Sequence, residues 1–105
     1  MKINLNVEFK LIENEPVMSE RGKPLTLRHA AFSALSLFPD RDATVDERER
    51  RLKLAEKIAI TDGEIDLSID ELSLIKRLIS FFYPAPIISS QAARMIEGAG
   101  KEKTL

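Results

Sequence analysis

The stretch "TDGEIDLSIDELSLIKRLISFFY", residues 61–83, decides how the chain is read. Its first twelve residues share letters with the second half of a calcium-binding loop. Such a loop needs oxygen ligands at its first, third and fifth positions, glycine at the sixth and a bidentate glutamate at the twelfth. Placing Gly63 sixth puts Ile58 first, Ile60 third and Ile69 twelfth. Hard cations do not bind hydrocarbon, so the calcium reading fails. The alternative uses every residue. Asp62–Gly63 makes a turn, Ile65 and Leu67 alternate with Glu64 and Asp66 as a short strand, and Ser68 with Glu71 forms a capping box that opens a helix. After its opening Glu71, the helix "ELSLIKRLISFFY" is polar only at Ser73, Lys76, Arg77 and Ser80. A helix apolar around most of its circumference is expected at the centre of a core.

Upstream of this stretch, residues 2–12 carry the clearest strand pattern. Ile3, Leu5, Val7, Phe9 and Leu11 fall on one face and Lys2, Asn4, Asn6, Glu8 and Lys10 on the other. The segment "IENEPVMSERGKPLTL" follows, with a proline in each arm around a polar centre. It reads as a turn region with a small hairpin, its strands confined to edges. Residues 16–18 and 23–25, residues 64–67, or a second copy of the chain can supply the backbone partners the first strand needs. Pairing within the chain, with some self-association, is the expected arrangement.

Three further helices are expected. The first begins at Thr26, whose hydroxyl can cap it, and ends before Pro39. The second begins at a capping box, Thr44 to Glu47, and is almost wholly charged in its first half. The last begins at Pro86, where the missing amide costs nothing, and ends at Gly98 and Gly100. The predicted fold is α+β: an N-terminal β-strand with a small hairpin partner, packed on about four helices. Residues 1–97 form one domain and residues 98–105 a flexible C-terminal tail.

Composition narrows the chemistry. The chain has 105 residues, 44% hydrophobic and 31% charged, with 16 basic and 17 acidic side chains and a formal charge of −1. No overall field draws it to nucleic acid or to an anionic membrane. It has no cysteine, which removes disulfides, thiolate metal sites and cysteine nucleophiles together. No apolar run can span a bilayer, and the alternating N-terminus lacks the continuous apolar stretch of a signal peptide. A cytoplasmic setting is expected, with no cofactor.

Candidate sites are few. His29 is the single histidine. Ser33 lies one turn away, but no acidic residue of that helix can orient the ring, so a boundary histidine is expected. The carboxylates Asp62, Glu64, Asp66, Asp70 and Glu71 cluster as a solvated turn and a favourable negative charge at a helix start. Arg50, Lys53 and Lys57 share one face of the second helix and are the candidate contact for nucleic acid. Acidic residues interleave with them and aromatics suited to base stacking are scarce, so nucleic acid is the less favoured partner. Phe81, Tyr83, Ile87 and Ile88 are the candidate surface for a protein partner. None of the phosphate-binding, metalloprotease or serine-hydrolase motifs is present. A non-enzymatic protein acting through another protein, or through a homodimer, is the expectation.

Three blocks carry a resemblance: "GKPLTLRHA" (22–30), "LAEKIA" (54–59) and "IDLSIDELSLIKRLI…YPAPIISSQAARMIE" (65–97). Together they resemble small proteins encoded by tailed bacteriophages and prophages. The resemblance implies an alternating strand, a Gly-Lys-Pro-Leu turn and a final helix–proline–helix unit. It also implies a viral or prophage origin and action inside a bacterial host, and it brings no catalytic residues. The segment "PDRDATVDERERR" (39–51) lies outside it.

Overall fold

In the computed structural model, which describes residues 1–102, the elements run β1 (Lys2–Asn4), α1 (Leu27–Leu37), α2 (Val45–Ile60), β2 (Glu64–Asp66), α3 (Ile69–Phe82) and α4 (Pro86–Glu102). The α+β class is as the sequence indicates. β1 and β2 pair antiparallel, with Ile3 opposite Ile65. Both isoleucines face the core, and their polar neighbours face water. The first strand therefore finds its partner within the chain.

The alternating segment does not run on as one strand, because it changes partner. Leu5 N–H still donates to Gly63 C=O at 3.1 Å, next to β2. Beyond it, the chain joins residues 16–27 in a closed arrangement. Phe9 N–H donates to Leu25 C=O, Leu25 N–H to Val17 C=O, and Val17 N–H back to Phe9 C=O, at 3.0, 2.7 and 2.9 Å. Residues 9, 17 and 25 are evenly spaced, and the chain between them repeats every eight residues: "FKLIENEP" and then "VMSERGKP". Each unit is a hairpin with a three-residue loop. Leu11 N–H bonds Glu15 C=O and Asn14 N–H returns to Leu11 C=O; Ser19, Lys23 and Gly22 repeat the pattern. The third loop residue must take positive φ in this turn, and Asn14 and Gly22 do so at 68° and 75°. Pro16 and Pro24 stand opposite Lys10 and Met18. The bonds on either side of these bridges come from other residues, so they are non-hydrogen-bonded pairs, where a missing N–H costs nothing. The change of partner moves two of the five apolar residues out: Ile3, Leu5 and Phe9 are buried, Val7 and Leu11 exposed.

This cap seats α1. Every donor of its first turn is satisfied. Leu27 N–H bonds Val7 C=O, Arg28 N–H bonds Leu5 C=O, His29 N–H bonds the Thr26 hydroxyl and Ala30 N–H bonds Thr26 C=O. α1 ends at Phe38, held extended at ψ 118° before Pro39. The second helix keeps only half of its expected box: Thr44 Oγ1 accepts from Glu47 N–H, while the Glu47 carboxylate turns to Arg51 at 4.0 Å. Ser68 and Glu71 form the full reciprocal box.

The central helix is α1, not α3. Ala30, Ala31 and Ala34 are fully buried, and these small side chains let both α2 and α3 pack against the α1 backbone. α3 buries one face, Leu72, Ile75, Leu78 and Ile79, and leaves Ile69 and Phe81 more than half exposed. α4 packs on α3 and is tied to the cap by Gln91, whose amide both accepts from Lys10 N–H and donates to Lys10 C=O. α4 continues through Gly98 and Gly100 to Glu102, so the expected stop is displaced. Glycine weakens a helix interior by about 1 kcal/mol relative to alanine, which does not forbid it. Residues 103–105 of the expected tail lie outside the described residues. A single core cluster joins residues from Ile3 to Ile96, and the radius of gyration is 13.3 Å, close to the ~13 Å of a compact chain of this size.

Candidate functional site

α2 and α3 both seat on α1. The space between them is a groove of about 580 Å³. Arg50, Lys53 and Lys57, spaced to share one helical face, all line it. The sequence-predicted basic face is therefore brought together on one surface. Arg77 joins it from α3, and Leu54 and Leu74 supply hydrocarbon between the charges. Arg77 and Leu74 were not legible as members, because their place depends on how two helices sit on a third.

The acidic side chains Glu47, Asp70 and Glu71 also line the groove. Glu71 is engaged by the Ser68 N–H at 2.8 Å. Arg51 is buried and donates to Asp40 Oδ2 at 3.0 Å. Lys57 Nζ reaches the Asp66 carbonyl at 3.5 Å. Arg50, Lys53 and Arg77 carry no ion pair among the described residues.

A second hollow, about 500 Å³, lies on the far side of Arg51, which lines both. Leu37, Phe38 and Leu52 line it. Leu37 is 63% exposed and Phe81 60% exposed. Phe81 stacks on Phe38 with ring centroids 5.8 Å apart and planes 7° apart. Of the four residues expected at a partner surface, Phe81 alone is more than half exposed. Tyr83 is half-buried against Phe82, edge-on at 5.0 Å. Ile87 and Ile88 are partly buried, and Ile88 packs on the core. The exposed neighbours that the sequence does not mark are Leu37 and Leu52.

His29 does have an acidic neighbour, supplied by the second hairpin and not by its own helix. Its Nε2 lies 3.5 Å from Glu20 Oε1, and its ring meets Phe32 edge-on at 4.9 Å. Ser33 is buried among core side chains at 3% exposure, which closes its hydroxyl to a substrate. Tyr83 ionises less readily than usual, because burial disfavours the phenolate; the Ser33 hydrogen bond opposes this. Among the described residues no group of three potential metal ligands comes together, and no helix is long and apolar enough to cross a membrane.

Comparison with protein-family models, with curated proteins and with solved structures finds no match.

Two carboxylates clamp the loops that frame these surfaces. Asp62 accepts from Asn6 Nδ2 at 3.1 Å and from Arg28 at 3.2 Å, which holds it below the usual 3.8, with the Asn6 bond the larger cause. Asp40 is lowered by the Arg51 bond first and the Asp42 amide second. A carboxylate depressed in the folded state contributes stability above its unfolded pKa and loses that contribution as pH falls through the folded value. Stability is therefore expected to be level from neutral pH down to about 5 and to fall below about 4. Thermal unfolding followed across this range checks it, and Asp62→Asn is expected to flatten part of the acid slope.

Proposed function

We propose that this protein is a non-enzymatic docking module that acts by binding another protein, either a second copy or a partner in a bacterial host. The observation that carries the reading is the apolar surface at the end of α1, where Leu37 and Phe81 stand more than half exposed beside Phe38 and Leu52. Large apolar side chains grouped in this way mark contact surfaces, whereas scattered ones do not. The sequence supports the same reading: it has one histidine, no cysteine and no catalytic motif. The resemblance to small phage and prophage proteins supports a bacterial cytoplasm as the setting.

Contact with nucleic acid through Arg50, Lys53 and Lys57 is the alternative. In its favour, all three line one groove. Against it, Glu47, Asp70 and Glu71 line the same groove and repel an evenly charged phosphate backbone.

Sedimentation velocity over a range of concentrations, followed by capture from bacterial lysate, tests the docking reading. The wild type and the double variant Leu37→Ser, Phe81→Ser are run side by side. Self-association or capture that the double variant loses, with its helical circular dichroism retained, is the expected result. A wild type that stays monomeric and captures nothing the variant does not capture overturns it.

A further inference from the structure

The α2–α3 groove has a direction. Lys57 touches the carbonyl of Asp66, just ahead of α3, and Arg77, about two turns beyond Asp70 in α3, lines the same groove as Arg50. The end of α2 thus lies beside the start of α3, and the middle of α2 beside the later turns of α3. Asp70 and Glu71 then face the Lys57 end, and Arg77 faces the Arg50 end. The charge is mixed at one end and net positive at the other, where Glu47 is drawn to Arg51 at 4.0 Å. Between the two ends lie the half-buried Leu74 and the exposed edge of Leu54, which is itself 8% exposed and part of the core.

We infer that this groove binds an amphipathic helix of a partner protein, with an apolar stripe laid on Leu54 and Leu74 and carboxylates placed against Arg50, Lys53 and Arg77. The inference rests on the reading of the protein as a docking module and assigns a second contact to it. Charge complementarity selects this occupant. Arg50, Lys53 and Arg77 make no close ion pair among the described residues, and Arg77 only adds to the field on Asp40, so a partner's carboxylates can add close contacts. A helix sets its charges residue by residue, so it can present carboxylates to the Arg50 end and avoid the Asp70–Glu71 end. A phosphate backbone cannot, because its charges recur at fixed spacing. Nor does phosphate gain from leucine, whereas a helix in a groove gains most from its apolar anchors.

The probe is a fluorescent helical peptide of about 14 residues, roughly 21 Å long, with leucines at helical spacing and glutamates beside them. Its binding is read by anisotropy at low salt. The expected result is saturable binding, about tenfold or more tighter than for the same peptide with lysine in place of glutamate. The double variant Arg50→Glu, Arg77→Glu alters two exposed side chains and is expected to weaken binding about tenfold or more with an unchanged dichroism spectrum. No saturation up to about a millimolar, equal binding of the lysine peptide, or no response to the charge reversal overturns the inference. So does duplex DNA of about 20 base pairs that competes for the groove with equal or greater affinity. Any of these results beside intact, Leu37- and Phe81-dependent association removes the groove assignment alone. The same results with that association also absent remove the docking reading with it.

Discussion

Phe9→Ala is expected to lower the free energy of unfolding by about 3–5 kcal/mol. Phe9 is fully buried, and alanine removes the whole ring and leaves the space it filled. Its backbone is also one of the three links of the closed hairpin cap, donating to Leu25 and accepting from Val17. The cap in turn satisfies the first donors of α1 through Val7 and Leu5. A cavity here therefore loosens the element that seats the central helix. Small domains hold about 5–15 kcal/mol in total, so the variant is expected to sit near the edge of folding. Urea denaturation followed by far-ultraviolet circular dichroism measures the change. A cost under about 1 kcal/mol would mean that the N-terminal segment lies on the core without being part of it.

The helix starts and the end of α1 were legible because each carries local chemistry, whereas the end of α4 was not. Thr26, Thr44 and Ser68 each accept a hydrogen bond from the third helical residue, and Pro39 stops α1. The closed cap was not legible. Its period of eight shows only three apolar residues and two prolines, too few to stand out from ordinary turn composition. The pairing itself depends on residues brought together after two reversals of the chain. The identity of the central helix was also hidden. Alanine is weakly apolar, so the buried face of α1 reads as less hydrophobic than α3, although small size is what lets two helices approach it. The candidate groove was half legible: the spacing of Arg50, Lys53 and Lys57 follows from helical geometry within α2, whereas Arg77 and Leu74 enter through the packing of α2 and α3 on α1.

Two residues of α3, two positions apart, are expected to respond in opposite ways. Ile79 is fully buried and Phe81 is 60% exposed, although both are large and apolar and both belong to the run that made the sequence read as a core helix. Ile79→Ala is expected to cost about 2–5 kcal/mol, because the cavity lies between α3 and the core and its walls are already close-packed. The midpoint of thermal unfolding is expected to fall by about 4 °C or more for each kcal/mol. Phe81→Ser is expected to change stability by far less, since most of its ring is already in water. It removes the stack on Phe38 at 5.8 Å, an exposed aromatic pair that contributes about 0.5–1.5 kcal/mol at most. Association should follow the reverse order. Phe81→Ser abolishes patch-dependent self-association or capture, while Ile79→Ala, measured well below its melting temperature, retains it. The contrast separates a residue selected for packing from one selected for contact. Equal losses of stability at the two positions would mean that Phe81 is a core residue whose exposure carries no function.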